Sequence, residues 1–85
     1  MGKDEVRQEL RALVNEVLPE LGEVDMDVDI TKEYGINSIS IIKLIVEAEG
    51  KFGVKFTDYE LALDDYPTFG DLAAVIKEKV DKLED

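Results

Sequence analysis

The 85-residue sequence predicts an all-α fold, a small antiparallel bundle of three longer helices and one short helix. In three segments apolar residues recur at spacings of three and four, which is typical of amphipathic helices. No segment shows the two-residue alternation of a strand over a length that makes a sheet. The length fits one core, so we expect residues 1–85 to form a single domain.

The first predicted helix covers residues 3–18, and Pro19 ends it. An acidic loop over residues 19–37 follows, and we expect Ile30 and Tyr34 to anchor it because long unanchored loops are uncommon in compact domains. The apolar face of this first helix consists of Val6, Leu10, Leu13, Val14, Val17 and Leu18.

The second helix is predicted over residues 38–52, with Gly53 as its C-terminal stop. It carries two apolar stripes, whereas a bundle helix needs only one. The core stripe consists of Ile41, Leu44, Ile45, Ala48 and Phe52, and the second stripe of Ile39, Ile42 and Val46. Either the second stripe packs under the short third helix, or it is an exposed docking surface. The glycine in this helix, Gly50, marks either fraying or a close contact.

Two capping patterns define the remaining helices. Thr57 and Glu60 form a capping box, which predicts a short helix over residues 58–63. Thr68 is predicted to cap a last helix over residues 68–83.

Composition excludes several kinds of chemistry. The chain has no cysteine and no histidine, so thiolate nucleophiles, disulfides and a Ser-His-Asp relay are absent. We therefore predict a protein without catalytic residues rather than an enzyme. No apolar run has the length of a signal peptide or a membrane span, so we expect a cytoplasmic protein that does not enter membranes.

The charge distribution constrains the partners. Ten basic and 21 acidic residues give a net charge of −11, which repels nucleic acids and anionic lipids and favours basic protein partners. Residues 38–56 are the exception, since three lysines and two glutamates leave them at +1.

The sequence Gly35-Ile36-Asn37-Ser38-Ile39, with the apolar helix that follows it, closely resembles the acyl and peptidyl carrier protein family. The resemblance extends over nearly the whole chain. It implies that Ser38 accepts 4'-phosphopantetheine from coenzyme A, and that the thiol of this arm carries acyl groups as thioesters. The partners it implies are a phosphopantetheinyl transferase and acyl-activating and acyl-processing enzymes, with the carrier acting as a monomer.

Two residues depart from the family pattern. Asn37 stands where the family usually has an aspartate that supports modification, so slower or more selective loading is our hypothesis. Lys43 stands where many fatty acid carriers have glutamate, which indicates a specialised carrier outside the central fatty acid synthase. The residues predicted to contact partners are Ile39, Ile42, Lys43, Val46 and Glu47.

Alternative interpretations remain for the same residues. Ser38 is also a favoured type of helix N-cap, and Ser40 is expected to stay unmodified. The acidic run Asp25, Asp27, Asp29, Thr31 and Glu33 resembles an EF-hand loop. It lacks the required glycine and final glutamate, so we predict no metal site there. The rival functions are an aminoacyl or peptidyl carrier, an adaptor that is never modified and, last, a weak calcium-binding protein. Fatty acyl, polyketide and aminoacyl cargoes are all compatible with the sequence.

Overall fold

A computed structural model describes residues 2–61 and 65–84, and the regular secondary structure of these residues is all helical, which confirms the all-α prediction. None of these residues lies in a strand. The α-helices are α1 (Lys3–Val17), α2 (Ile30–Tyr34), α3 (Ser38–Phe52) and α4 (Phe69–Glu84). Two short 3₁₀ turns cover Pro19–Leu21 and Asp58–Leu61.

The core lies between the three long helices, with α1 packed against both α3 and α4. Each long helix buries one apolar stripe, as the helical spacing of the sequence predicts. The largest fully buried side chains of this core are Phe69, Leu10, Ile30, Ile41, Leu44, Ile45, Leu72 and Ile76.

The predicted loop over residues 19–37 is wrong in part, because it contains the 3₁₀ turn and helix α2. The Asp29 carboxylate caps α2 by accepting hydrogen bonds from the backbone N–H groups of Thr31 and Lys32, both at 3.0 Å. Gly35 ends the helix in the left-handed conformation, with φ 63°. A five-residue helix is too short to show a period, so only its two end signals reveal it.

The predicted anchors of this segment are confirmed. Ile30 is fully buried in the core. The half-buried Tyr34 ring stacks on Phe69 with 6.1 Å between ring centroids, and its hydroxyl accepts a hydrogen bond from the Asp25 N–H at 2.7 Å. These contacts hold α2 against the N-terminal end of α4.

Most other helix boundaries agree with the sequence to within a residue. Leu18 is the C-terminal cap of α1 rather than its last residue. The predicted capping box at Thr57 is confirmed in part: the Thr57 N–H donates to the Glu60 carboxylate at 2.9 Å, whereas the Glu60 N–H donates to the Thr57 backbone carbonyl, at 2.9 Å, instead of its hydroxyl. It begins a 3₁₀ turn instead of an α-helix, and the rest of the predicted helix, residues 62 and 63, lies outside the described residues.

The start of α4 is closely packed. The Thr68 hydroxyl accepts from the Asp71 N–H at 3.0 Å, while the Asp71 carboxylate accepts from the Thr68 N–H at 3.2 Å. The Gly70 N–H donates to the Met26 carbonyl at 2.8 Å. A Cβ at Gly70 would lie 3.0 Å from that carbonyl oxygen and 2.9 Å from an Arg7 guanidinium nitrogen, so a side chain there would require the carbonyl to shift by a few tenths of an ångström and the Arg7 side chain to move.

Among the described residues, none of the helices combines the length and apolar character that crossing a membrane requires.

Candidate functional site

Ser38 is the first residue of α3, and its side chain is exposed. The residue before it, Asn37, has an extended backbone, and its side-chain oxygen accepts the Ser40 N–H at 2.9 Å. Asn37 is therefore the N-cap, and the alternative interpretation of Ser38 as the cap is wrong. The Ser38 hydroxyl is consequently not needed to satisfy the helix end.

The chain is fixed immediately before this serine. Ile36 is only 6% exposed, and its N–H donates to the Ile30 carbonyl at 3.3 Å. With Gly35 in the left-handed conformation, the chain turns sharply between α2 and α3. Ile36 was not among the predicted anchors, although an apolar residue between two turn-forming residues, Gly35 and Asn37, is the signal that reveals it.

The first turn of α3 differs in charge from those of the other α-helices. It contains no acidic residue, whereas the first turns of α1, α2 and α4 each contain at least one. The backbone N–H groups of Ser38 and Ile39 have no acceptor within the helix, because the first N–H groups of any α-helix lack one. The positive end of the helix dipole thus faces solvent beside the Ser38 hydroxyl, which suits an attached phosphate.

The second apolar stripe of α3 is solvent-exposed. Ile39 is 79% exposed, Val46 53% and Ile42 38%. The alternative in which this stripe packs under the short third helix is therefore wrong for most of its area. Gly50 lies further along α3, and a Cβ there would meet no atom within 4 Å, so the close-contact interpretation is also wrong.

The charged residues of α3 fall into two groups. Lys51 pairs with Glu9 of α1 at 3.0 Å, and Glu49 accepts the Phe56 N–H at 2.8 Å, so these two hold the fold together. Lys43 and Glu47 are exposed on the same side as the apolar stripe. The residues predicted to contact partners thus share one exposed surface of α3.

The acidic loop residues have structural contacts of their own. Asp29 caps α2 and also accepts from the Thr31 hydroxyl at 2.6 Å, and that hydrogen bond together with the one from the Lys32 N–H lowers the pKa of its carboxyl below the ordinary value. Asp27 pairs with Arg7 at 3.2 Å. Within residues 2–61 and 65–84, no three acidic side chains are gathered as metal ligands.

Comparison with known proteins gives one family. The family described as "Phosphopantetheine attachment site" matches residues 8–76. An acyl carrier protein of Rhodococcus erythropolis is 36% identical over 76 residues, covering 88% of this chain and 81% of the relative. A D-alanyl carrier protein of Lactococcus lactis subsp. cremoris is 36% identical over 58 residues, covering 68% and 73%. No solved structure gives a significant match.

The family match spans most of the chain and includes the α2–α3 turn, the exposed serine and the first half of α4. The matched family is that of the phosphopantetheine attachment site, which agrees with the helical fold and the open helix start. The chain therefore belongs to the phosphopantetheine-binding carrier proteins, together with the acyl and D-alanyl carrier proteins that it matches.

Proposed function

We propose that this chain is an acyl carrier protein whose Ser38 holds the 4'-phosphopantetheine arm as a phosphodiester. The arm supplies a thiol, which the chain itself lacks, and that thiol holds acyl groups as thioesters for transfer between enzymes. The chain's own part is to present the serine and the cargo, not to catalyse their chemistry.

The exposed serine at the first position of α3 carries this proposal. Asn37 is the N-cap through the Ser40 N–H, so the Ser38 hydroxyl is not used as a cap and is available for attack on the pantetheine phosphate of coenzyme A. In that step a bond forms between Ser38 Oγ and phosphorus, the pyrophosphate bond of coenzyme A breaks with release of adenosine 3',5'-bisphosphate, and the hydroxyl proton leaves to a base of the transferase. The N–H groups of Ser38 and Ile39 then face the attached phosphate.

The exposed surface of α3 next to Ser38 is the proposed contact for enzymes that load and use the arm. Exposed apolar residues clustered beside a modification site are typical of docking surfaces. These enzymes are a phosphopantetheinyl transferase and acyl-activating and acyl-processing enzymes, and the carrier binds each of them as a monomer. The surface consists of Ile39, Ile42, Lys43, Val46 and Glu47.

A second candidate cargo is an aminoacyl group. The similarity to D-alanyl carrier proteins of Lactococcus lactis favours it, at an identity equal to that of an acyl carrier relative. Mass analysis of material released by thioester cleavage, from protein purified out of its own cells, distinguishes the two. An amino acid supports the aminoacyl carrier, and a fatty or polyketide acid supports the acyl carrier.

The attachment is tested by intact-mass spectrometry after incubation with coenzyme A, Mg²⁺ and a phosphopantetheinyl transferase. We expect one adduct of the mass of phosphopantetheine on the wild type. The adduct persists in Ser40→Ala, the matched control one residue beyond Ile39, and disappears in Ser38→Ala. Absence of any adduct with several transferases contradicts the proposal and favours an unmodified adaptor.

A further inference from the structure

Four of the five residues of the proposed docking surface, Ile39, Ile42, Lys43 and Val46, form a narrower docking face whose charge is unusual for this molecule. At about 100° per residue these four side chains fall within a sector of about 100°, with Ser38 about 40° beyond one edge and Glu47 about 40° beyond the other. Three of them are apolar and the fourth is a lysine. Residues 38–56 carry +1, so the rest of the chain carries −12.

Lys43 is the charged side chain that distinguishes this docking face from the acidic remainder of the chain. The other lysine of the helix, Lys51, is engaged with Glu9, and Glu49 is engaged with a backbone N–H. In the described part of the chain no carboxylate pairs with Lys43, although Glu47 lies one turn further along. Lysine placed N-terminal to glutamate at this spacing is the weaker orientation of such a pair.

Burial of this face against a partner places two requirements on the partner. Its surface must be apolar, to cover the exposed stripe of Ile39, Ile42 and Val46. It must also present a negative group to Lys43, because a charge that loses water without a counter-ion is strongly destabilising. At physiological salt the Debye length is about 8 Å, so this local charge acts at contact despite the acidic remainder of the chain.

We infer that the docking face selects enzymes whose carrier-binding patch is apolar with a carboxylate opposite Lys43, and rejects enzymes whose patch is basic. This inference rests on the proposed function, because only a carrier loaded at Ser38 has cargo to exchange. Lys43 is the specificity-determining residue. The apolar stripe supplies contact area, and the lysine decides which patches are accepted, since like charges placed face to face oppose association.

The probe is a ketosynthase of a general fatty acid synthase with a basic docking patch, used with the same enzyme carrying one patch arginine changed to glutamate. Acyl transfer is measured from the loaded wild-type carrier and from Lys43→Glu. For the unaltered enzyme we expect kcat/KM to rise about tenfold in Lys43→Glu, mainly through KM. For the reversed enzyme we expect the wild-type carrier to be the better substrate.

Lys82→Glu is the matched control, because it makes the same change in net charge on α4, where Lys82 pairs only loosely with Glu78 at 3.6 Å. It is expected to leave transfer to both enzymes unchanged. Equal transfer by wild type and Lys43→Glu, or an equal rise in Lys82→Glu, overturns the inference.

Arm attachment is scored separately for each carrier by intact mass, so the two proposals fail in different ways. A wild type that takes no arm overturns the proposed function and this inference with it. Full attachment combined with transfer rates that ignore the charge at position 43 overturns the docking inference alone.

Discussion

The starts of α3 and α4 are each capped by a small polar residue, Asn37 or Thr68, but they differ in packing and in exposure. At α4, Thr68 and Asp71 satisfy each other, and Gly70 is pressed against the Met26 carbonyl. At α3, the neutral Asn37 caps the helix from one side only, and the first turn has no acid. The α4 start is closed by packing, whereas the α3 start is open beside an exposed serine. Within one small domain, the same local element thus serves either stability or chemistry.

The largest expected effect is the difference in unfolding free energy between alanine substitutions at the start of α4 and at the start of α3. Phe69 begins α4 and is fully buried, so Phe69→Ala should lower the free energy of unfolding by about 3–5 kcal/mol. Ile39, in the first turn of α3, is 79% exposed, so Ile39→Ala should change it by less than about 0.5 kcal/mol. Urea unfolding followed by circular dichroism measures both. Comparable losses in the two variants contradict the assignment of Ile39 to an exposed surface.

The two helices also contain a matched pair of glycines. Gly70→Ala should give a lower free energy of unfolding than Gly50→Ala, because its Cβ would lie 3.0 Å from the Met26 carbonyl oxygen, and this crowding costs about 1–3 kcal/mol against the gain of about 1 kcal/mol in helix propensity. Gly50→Ala should raise the free energy of unfolding by about 1 kcal/mol, because alanine is the better helix former and the position is open. Thermal and urea unfolding of both variants give the signs, and a loss of stability in Gly50→Ala shows that α3 is covered there.

Asn37 links the stability of the α3 start to its modification. Asn37→Ala should lower the free energy of unfolding by about 1 kcal/mol through loss of the cap. Asn37→Asp keeps the cap, adds a favourable charge at the helix N-terminus and should speed loading of Ser38 by a generic transferase. Urea unfolding and time-resolved intact mass provide the two measurements. Unchanged loading kinetics in Asn37→Asp refute the proposed effect of the missing charge.

The smallest expected effect is a difference in pH dependence. The pKa of the Asp29 carboxyl is lowered by its hydrogen bonds, so its contribution to α2 is present above the unfolded pKa of about 3.9 and is lost as pH falls through the lower folded value. Asn37 does not titrate. Amide exchange protection at Thr31 and Lys32 should therefore fall in acid before protection at Ser40 does. Parallel loss at all three amides contradicts this difference.

The sequence predicted the long helices well because each has a continuous apolar stripe that tertiary packing uses. The existence of α2 and the identity of the α3 N-cap could not be predicted from apolar periodicity. Helix α2 has five residues and is recognised only by Asp29 and Gly35 at its ends. Asn37 and Ser38 are both favoured caps, and only the backbone geometry decides that Asn37 takes this position.

The candidate site was likewise predictable only where its features leave a local sequence signal. Ser38 and its apolar neighbours were identified from the sequence, but their accessibility was not. Exposure of Ile39 and Val46 depends on where the Asp58–Leu61 turn lies, and that turn is held by the Glu60–Lys79 ion pair at 3.0 Å, which joins residues far apart in the chain. Such a contact leaves no local pattern, so the second stripe of α3 was equally compatible with burial.

Attachment of the arm at the open start of α3 is tested by fragmentation mass spectrometry of the protein purified from its own cells. We expect the phosphopantetheine mass to map to Ser38 and to no other serine or threonine. An adduct located at Ser40, or a chain that carries no adduct while the pantetheine arm is present on other carriers from the same cells, would contradict it.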